Sequence, residues 1–150
     1  MPENYARFVQ RFDNGTDGGS AIANTDHVRS LTYKDYDQDN IASLVAGNIR
    51  LSAGTYRIKY SAPALGVGRH YVWLENFSDG IEISRLSSNA QSNATNATQT
   101  RSELICEVVL DNQKDLRCRH WTELGRSING LGMAVGRDKE VFAIVEVWKL

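Results

Sequence analysis

Three histidines, two cysteines and an alternating run of aspartates are the side chains best suited to chemistry. His27, His70 and His120 are dispersed, and none stands at a metal-ligand spacing from another histidine or a cysteine. His70 and His120 fall on the inward faces of strands, where a hydrogen-bonded core histidine is the ordinary reading. Only symmetry, repeating one histidine around a threefold axis, would build a metal site from them. In Asp35-Tyr36-Asp37-Gln38-Asp39-Asn40 the carboxylates alternate as at the start of a calcium loop. Position six of that loop is Asn40 where glycine is needed, and position twelve is Ala46 where glutamate is needed. The run reads as a solvated acidic loop.

Cys106 and Cys118 stand at equal distances either side of Asn112. If Asn112 centres a hairpin, the two cysteines face each other, and alternation puts both on the inward face. They are candidate cross-strand neighbours in the core. Reduced, buried thiols are the expected state and a disulfide the lesser alternative, and a one-residue shift of the turn would break the pairing.

No nucleophile elbow is present, and Gly66-Val67-Gly68 lacks the further glycine and the helix of a dinucleotide loop. Nothing singles out two of the 18 acids for sugar hydrolysis. No catalytic residue, no metal, no cofactor and no enzyme activity are expected. Tyr71, Trp73 and Phe77 share one strand face, an aromatic stripe that reads as core or subunit interface and less often as a sugar platform. The net charge of −1, from 17 basic and 18 acidic residues, gives no basic field for nucleic acid. There is no charged-then-apolar leader and no apolar stretch of membrane-spanning length, so synthesis in the cytosol without membrane insertion is expected.

The elements that must position these residues are strands. Period-two segments recur between Gly, Asn, Asp and Ser clusters, and no long window carries helical spacing. Strands are expected over 5–12, 27–33, 41–45, 48–51, 55–64, 69–77, 81–86, 101–110, 114–121 and 141–150. Acidic residues 34–40, polar residues 87–100 and Gly-rich residues 125–136 are expected as loops. Residues 1–150 form one domain by length, an all-β jelly-roll sandwich with a short arm over 1–4.

The last strand carries the strongest signal. Val141, Ala143, Val145 and Val147 alternate with Phe142, Ile144, Glu146 and Trp148, so both faces are apolar apart from one carboxylate. A sheet with one wet side would show one polar face. Burial of both faces calls for a partner, and the simplest partner is another copy of the chain.

Three segments carry a resemblance. Leu51-Ser52-Ala53-Gly54-Thr55-Tyr56-Arg57-Ile58 runs into Ser61-Ala62-Pro63-Ala64. Val67-Gly68-Arg69-His70 and Leu74-Glu75-Asn76 follow, and the chain ends Val145-Glu146-Val147-Trp148-Lys149-Leu150. Taken in order across residues 25–150, the series resembles a family of bacteriophage virion domains with the trimeric jelly roll of the tumour-necrosis-factor type. The Thr100-Arg101-Ser102 strand start and Leu116-Arg117-Cys118-Arg119-His120 also fit, while residues 87–100 are longer and more polar than the pattern.

The resemblance implies a homotrimer whose first and last strands pack around the threefold axis. Phe142, Ile144, Glu146 and Trp148, with Arg57 and Lys59 of the adjacent strand, are then the expected interface. Arg57 or Lys59 would neutralise Glu146. The expected role is structural, as a capsid decoration (cement) protein seated on the major capsid protein of a virion assembled in a bacterial host. A strand starting at Tyr5 leaves little room for a shaft or anchor, which favours that expectation. The alternative is the head of a tail fibre or spike, docked on a fibre shaft and binding host surface glycan.

Overall fold

The computed structural model describes residues 3–150, so the expected arm over 1–4 lies partly outside them. Twelve strands form among the described residues: β1 (Tyr5–Phe12), β2 (Thr25–Val28), β3 (Tyr33–Tyr36), β4 (Ala42–Val45), β5 (Asn48–Leu51), β6 (Gly54–Leu65), β7 (Gly68–Asn76), β8 (Ile81–Ser84), β9 (Ala90–Ser92), β10 (Gln99–Leu110), β11 (Lys114–Thr122) and β12 (Glu140–Lys149). A five-stranded sheet runs β10-β6-β12-β1-β3 and a seven-stranded sheet runs β4-β5-β11-β7-β8. In the second sheet, β2 pairs with the part of β11 beyond β5, and β9 with the part of β7 beyond β8. All these pairings are antiparallel.

Alternation sets the core. Tyr56, Ile58 and Tyr60 of β6 lie opposite Val108, Cys106 and Leu104 of β10, and Ile58 and Tyr60 also lie opposite Val147 and Val145 of β12. These side chains meet Ile49, Leu51, Val72, Leu74, Leu116 and Cys118 from the other sheet in one buried cluster. Each such aliphatic side chain contributes about 1.5–3 kcal/mol on leaving water. The short β4–β5 hairpin turns on Ala46 and Gly47, both at positive φ (50° and 81°), the geometry of a two-residue hairpin turn.

Three expectations need correcting. Residues 27–33 do not form one strand: β2 ends at Val28, and β3 occupies Tyr33–Tyr36 inside the expected acidic loop. Polar residues 87–100 are not all loop, because Ala90–Ser92 pairs with Gly68–His70. The largest difference concerns β10 and β11. They are not a hairpin: β10 pairs with β6, and β11 pairs with β7, β5 and β2. Residues 111–113 carry the chain from one sheet to the other. Cys106 therefore lies opposite Ile58 and Cys118 opposite Leu74, so they are not ladder neighbours, and both are free thiols. Inward alternation holds equally for strands facing across a sandwich, which is why the sequence symmetry about Asn112 was misleading.

Candidate functional site

Three features stand out: a half-apolar sheet face, a buried polar chain and an aromatic cleft. The outer face of the five-stranded sheet carries the expected interface residues. Across β12, Glu146 lies opposite Lys59 of β6 and Arg7 of β1, Trp148 lies opposite Arg57 and Tyr5, and Ile144 lies opposite Ser61 and Val9. Phe142 is buried, while Ile144, Glu146 and Trp148 are only half-buried. On β10, Ile105 and Val109 share this face and are 59% and 76% exposed. An open cleft of about 310 Å³ lies among Arg57, Lys59, Ile105, Trp148 and Leu150.

Register puts Lys59 beside Glu146 as expected, but neither Lys59 nor Arg57 forms its ion pair with Glu146. Arg57 pairs with Glu107 at 2.7 Å and Lys59 with Glu103 at 3.8 Å, both on β10. Glu146 instead accepts a hydrogen bond from the Tyr5 hydroxyl at 2.7 Å. Burial and the adjacent carboxylate push the Tyr5 phenol up.

The buried chain was not legible in the sequence. The β2–β11 ladder places His27 opposite His120, and β7 brings His70 diagonally next to it. His70 Nδ1 lies 2.9 Å from His120 Nε2. Arg29, just after β2, is fully buried with no carboxylate among its partners. Its guanidinium donates to Gln10 Oε1, to the carbonyls of Pro63 and Leu131, and to His120 Nδ1 at 3.3 Å, so every N–H has an acceptor.

A guanidinium can only donate, and this fixes the tautomers. His120 accepts at Nδ1, so its neutral ring carries the proton on Nε2 and donates to His70 Nδ1. His70 then donates from Nε2 to Thr100 Oγ1 at 2.8 Å, and Thr100 donates to the Gln91 carbonyl at 3.1 Å. The chain has one direction from Arg29 to β9. Burial, with the Arg29 charge second, lowers His70 to about 4 and holds His120 well below the usual imidazole range. Burial likewise brings Arg29 down to about 10, so it stays charged at neutral pH.

The chain ends at a cleft of about 520 Å³ on the seven-stranded sheet, lined by Arg69, His70, Tyr71, Asn89, Gln91 and Trp121 among others. The Tyr71 and Trp121 rings lie 5.5 Å apart, and the Trp121 indole donates to Asn24 Oδ1. Of the aromatic stripe of β7, Trp73 is buried and Tyr71 half-buried, both on the seven-stranded sheet and not on the five-stranded sheet's face. Trp73 is covered by the Arg85 guanidinium at 4.2 Å, and Phe77 is exposed beneath Arg117.

The aspartate run is held by local contacts. Asp35 pairs with Arg7, Asp37 accepts from the backbone N–H groups of Ile41 and Ala42, and Asp39 accepts from that of Asn4. Among the described residues no group of three or more His, Cys, Asp or Glu could hold a metal ion.

Two antiparallel sheets in this strand order, with first and last strands adjacent at the centre of one, define a jelly roll of the tumour-necrosis-factor type. Solved structures agree. Murine APRIL crystallised at pH 5.0 superposes with a TM-score of 0.61 at 9% identity, covering 97% of this chain and 98% of that one. Its pH 8.0 crystal structure gives 0.56 over the same coverage. At 9% identity the likeness is one of fold. No protein-family model matches the chain, and neither does any curated protein.

Proposed function

We propose that the chain is a homotrimeric structural protein of a bacteriophage virion, and specifically a capsid decoration protein. The observation that carries the trimer is the outer face of the five-stranded sheet. Ile105 and Val109 are exposed there beside half-buried Ile144 and Trp148, a patch that a lone protomer leaves wet. A closed threefold ring buries such a patch on every copy with no free edge. In this reading Glu146 and its Tyr5 partner sit close to the axis, and Arg57, Lys59, Glu103 and Glu107 form a charged border. The virion setting rests on the residue-level resemblance in residues 25–150, and the capsid position within the virion is the part that copy number tests. Major capsid protein is then the partner beneath the trimer, and synthesis takes place in the host cytoplasm.

A tail-fibre or spike head binding host glycan is the second reading. The aromatic and amide-lined cleft beside β9 favours it.

Sedimentation and light scattering test the assembly: a trimer at micromolar concentration is expected, and a folded monomer there refutes it. Mass spectrometry of purified virions separates the two roles. Hundreds of copies, with loss of heat resistance on deletion, are expected for decoration. A few copies, with loss of adsorption, would establish the head instead.

A further inference from the structure

We infer that the cleft beside β9 is half of an elongated groove that binds a neutral oligosaccharide across two adjacent sugar subsites. The inference deepens the second reading above and rests on it for the source of the glycan. Two clefts meet here. The larger, about 520 Å³, has Trp121 and Tyr71 as its aromatic members. The smaller, about 280 Å³, lies among Tyr71, Arg85, Ser87 and Asn89. Tyr71 and Asn89 line both, so the two clefts adjoin at these side chains.

The chemistry of the lining selects the ligand. A pyranose ring offers an apolar C–H face and a rim of hydroxyls. Half-exposed Trp121 and Tyr71 supply apolar ring faces held at a mutual tilt of 33°. The exposed side-chain amides of Asn89 and Gln91 supply paired donors and acceptors for the rim, and Gln91 is engaged through its main-chain carbonyl, by Thr100. Ser87 lines the smaller cleft; its hydroxyl is shielded from solvent and has no hydrogen-bond partner, so it can meet a sugar only when the side chain turns outward.

The cations of the groove are already neutralised. Arg69 is bonded to Glu123, and Arg85 to Glu82. An anionic sugar would meet no unpaired positive charge, which is why a neutral ligand is inferred. The groove wall is preformed as well. Gln91 is tied through its carbonyl to Thr100, and so to His70, His120 and Arg29. A tethered wall loses little freedom on binding.

The test is calorimetric titration of the full chain with chitotriose, maltotriose and cellotriose, with sialyllactose as the anionic probe. Saturable binding of at least one neutral trisaccharide in the millimolar range or tighter is expected. Asn89→Ala, on an exposed loop, and Trp121→Ala should each weaken it at least tenfold, and Ser87→Ala severalfold. The Asn89→Ala protein should keep its thermal midpoint, so lost affinity cannot be ascribed to unfolding. No binding of any neutral probe at 10 mM, a preference for sialyllactose, or affinity unchanged by Asn89→Ala overturns the inference. Titration tests the groove and virion copy number tests the location, so either can fail without the other.

Discussion

Acidification should destabilise this protein well before its carboxylates titrate, because two buried histidines must stay neutral. His70 ionises near 4 in the folded chain, against an ordinary 6.5. Between those values the unfolded chain binds a proton that the folded chain refuses. Stability therefore rises with pH through that window and is fully present above about 6.5. Each histidine so held costs about 1.4 kcal/mol per pH unit on the way down, so His70 alone removes about 2 kcal/mol between pH 6.5 and 5 and about 3 kcal/mol by pH 4. His120 is also held well below the usual imidazole range by burial, Arg29, His70, His27 and Arg101, and should steepen the slope. Urea unfolding at fixed protein concentration between pH 6.5 and 5 isolates the histidines from the carboxylates. A His70→Gln/His120→Gln variant should lose most of the slope; His27, also lowered by burial, keeps a residue of it. Glutamine can still accept from Arg29 and donate onward, so the chain of hydrogen bonds survives in outline. A wild-type stability flat across that window would refute the reasoning, and so would an undiminished slope in the double variant.

Other substitutions probe the same architecture. Arg29→Lys keeps the charge but offers three donors to acceptors that now receive five bonds, and should cost about 2–4 kcal/mol in chemical denaturation. Gly132→Ala places a Cβ at 2.3 Å from Phe142 Cδ1 at a φ of +137°; a loss of about 2–3 kcal/mol should appear as a lowered thermal midpoint. Tyr5→Phe leaves the half-buried Glu146 without its donor and should cost about 1–2 kcal/mol, read by the same melt. Ile105→Glu, on the exposed part of the sheet face, should leave the fold intact by circular dichroism while shifting sedimentation from trimer to monomer.

Sequence periodicity located the strands that carry the core. β1, β5, β6, β10, β11 and β12 match their expected spans to within about two residues: β10 and β11 alternate in burial along their length, as does the first half of β6, while β1, β5 and the end of β6 are largely buried runs between turn residues. The short strands were less legible. β3 holds Lys34 and Asp35 and is exposed or half-exposed along its length, so it has no apolar face to announce it. β9 is three residues in a polar run, placed by pairing with β7 and not by its own side chains. Alternation fixes which way a residue faces, yet it is silent on which strand lies beside it. That is why Cys106 and Cys118 were rightly turned inward and wrongly paired. The histidines show the same limit: the inward faces of His70 and His120 were readable, but their meeting required the strand order β2-β11-β7.

Arg29 has a role that packing alone would not supply. Two apolar sheet faces can slide against each other by a residue pair at little cost, since hydrophobic contact is non-directional. Arg29 removes that freedom. It bonds Gln10 on β1 and Pro63 on β6 in one sheet, His120 on β11 in the other, and Leu131 of the connection that covers one end. A shift of either sheet would leave a buried cation with its donors unmatched, at several kcal/mol. The Tyr60 hydroxyl adds a second cross-sheet bond, to the Arg119 carbonyl. The same guanidinium starts the hydrogen-bond chain that ends at Gln91 in the groove wall. The sheet proposed to build the trimer and the sheet proposed to hold sugar are thereby registered by one polar contact set. It follows that Arg29→Lys should weaken trisaccharide binding as well as stability, although Arg29 lines neither cleft. Full affinity in a folded Arg29→Lys protein would break that link while leaving the groove itself untouched.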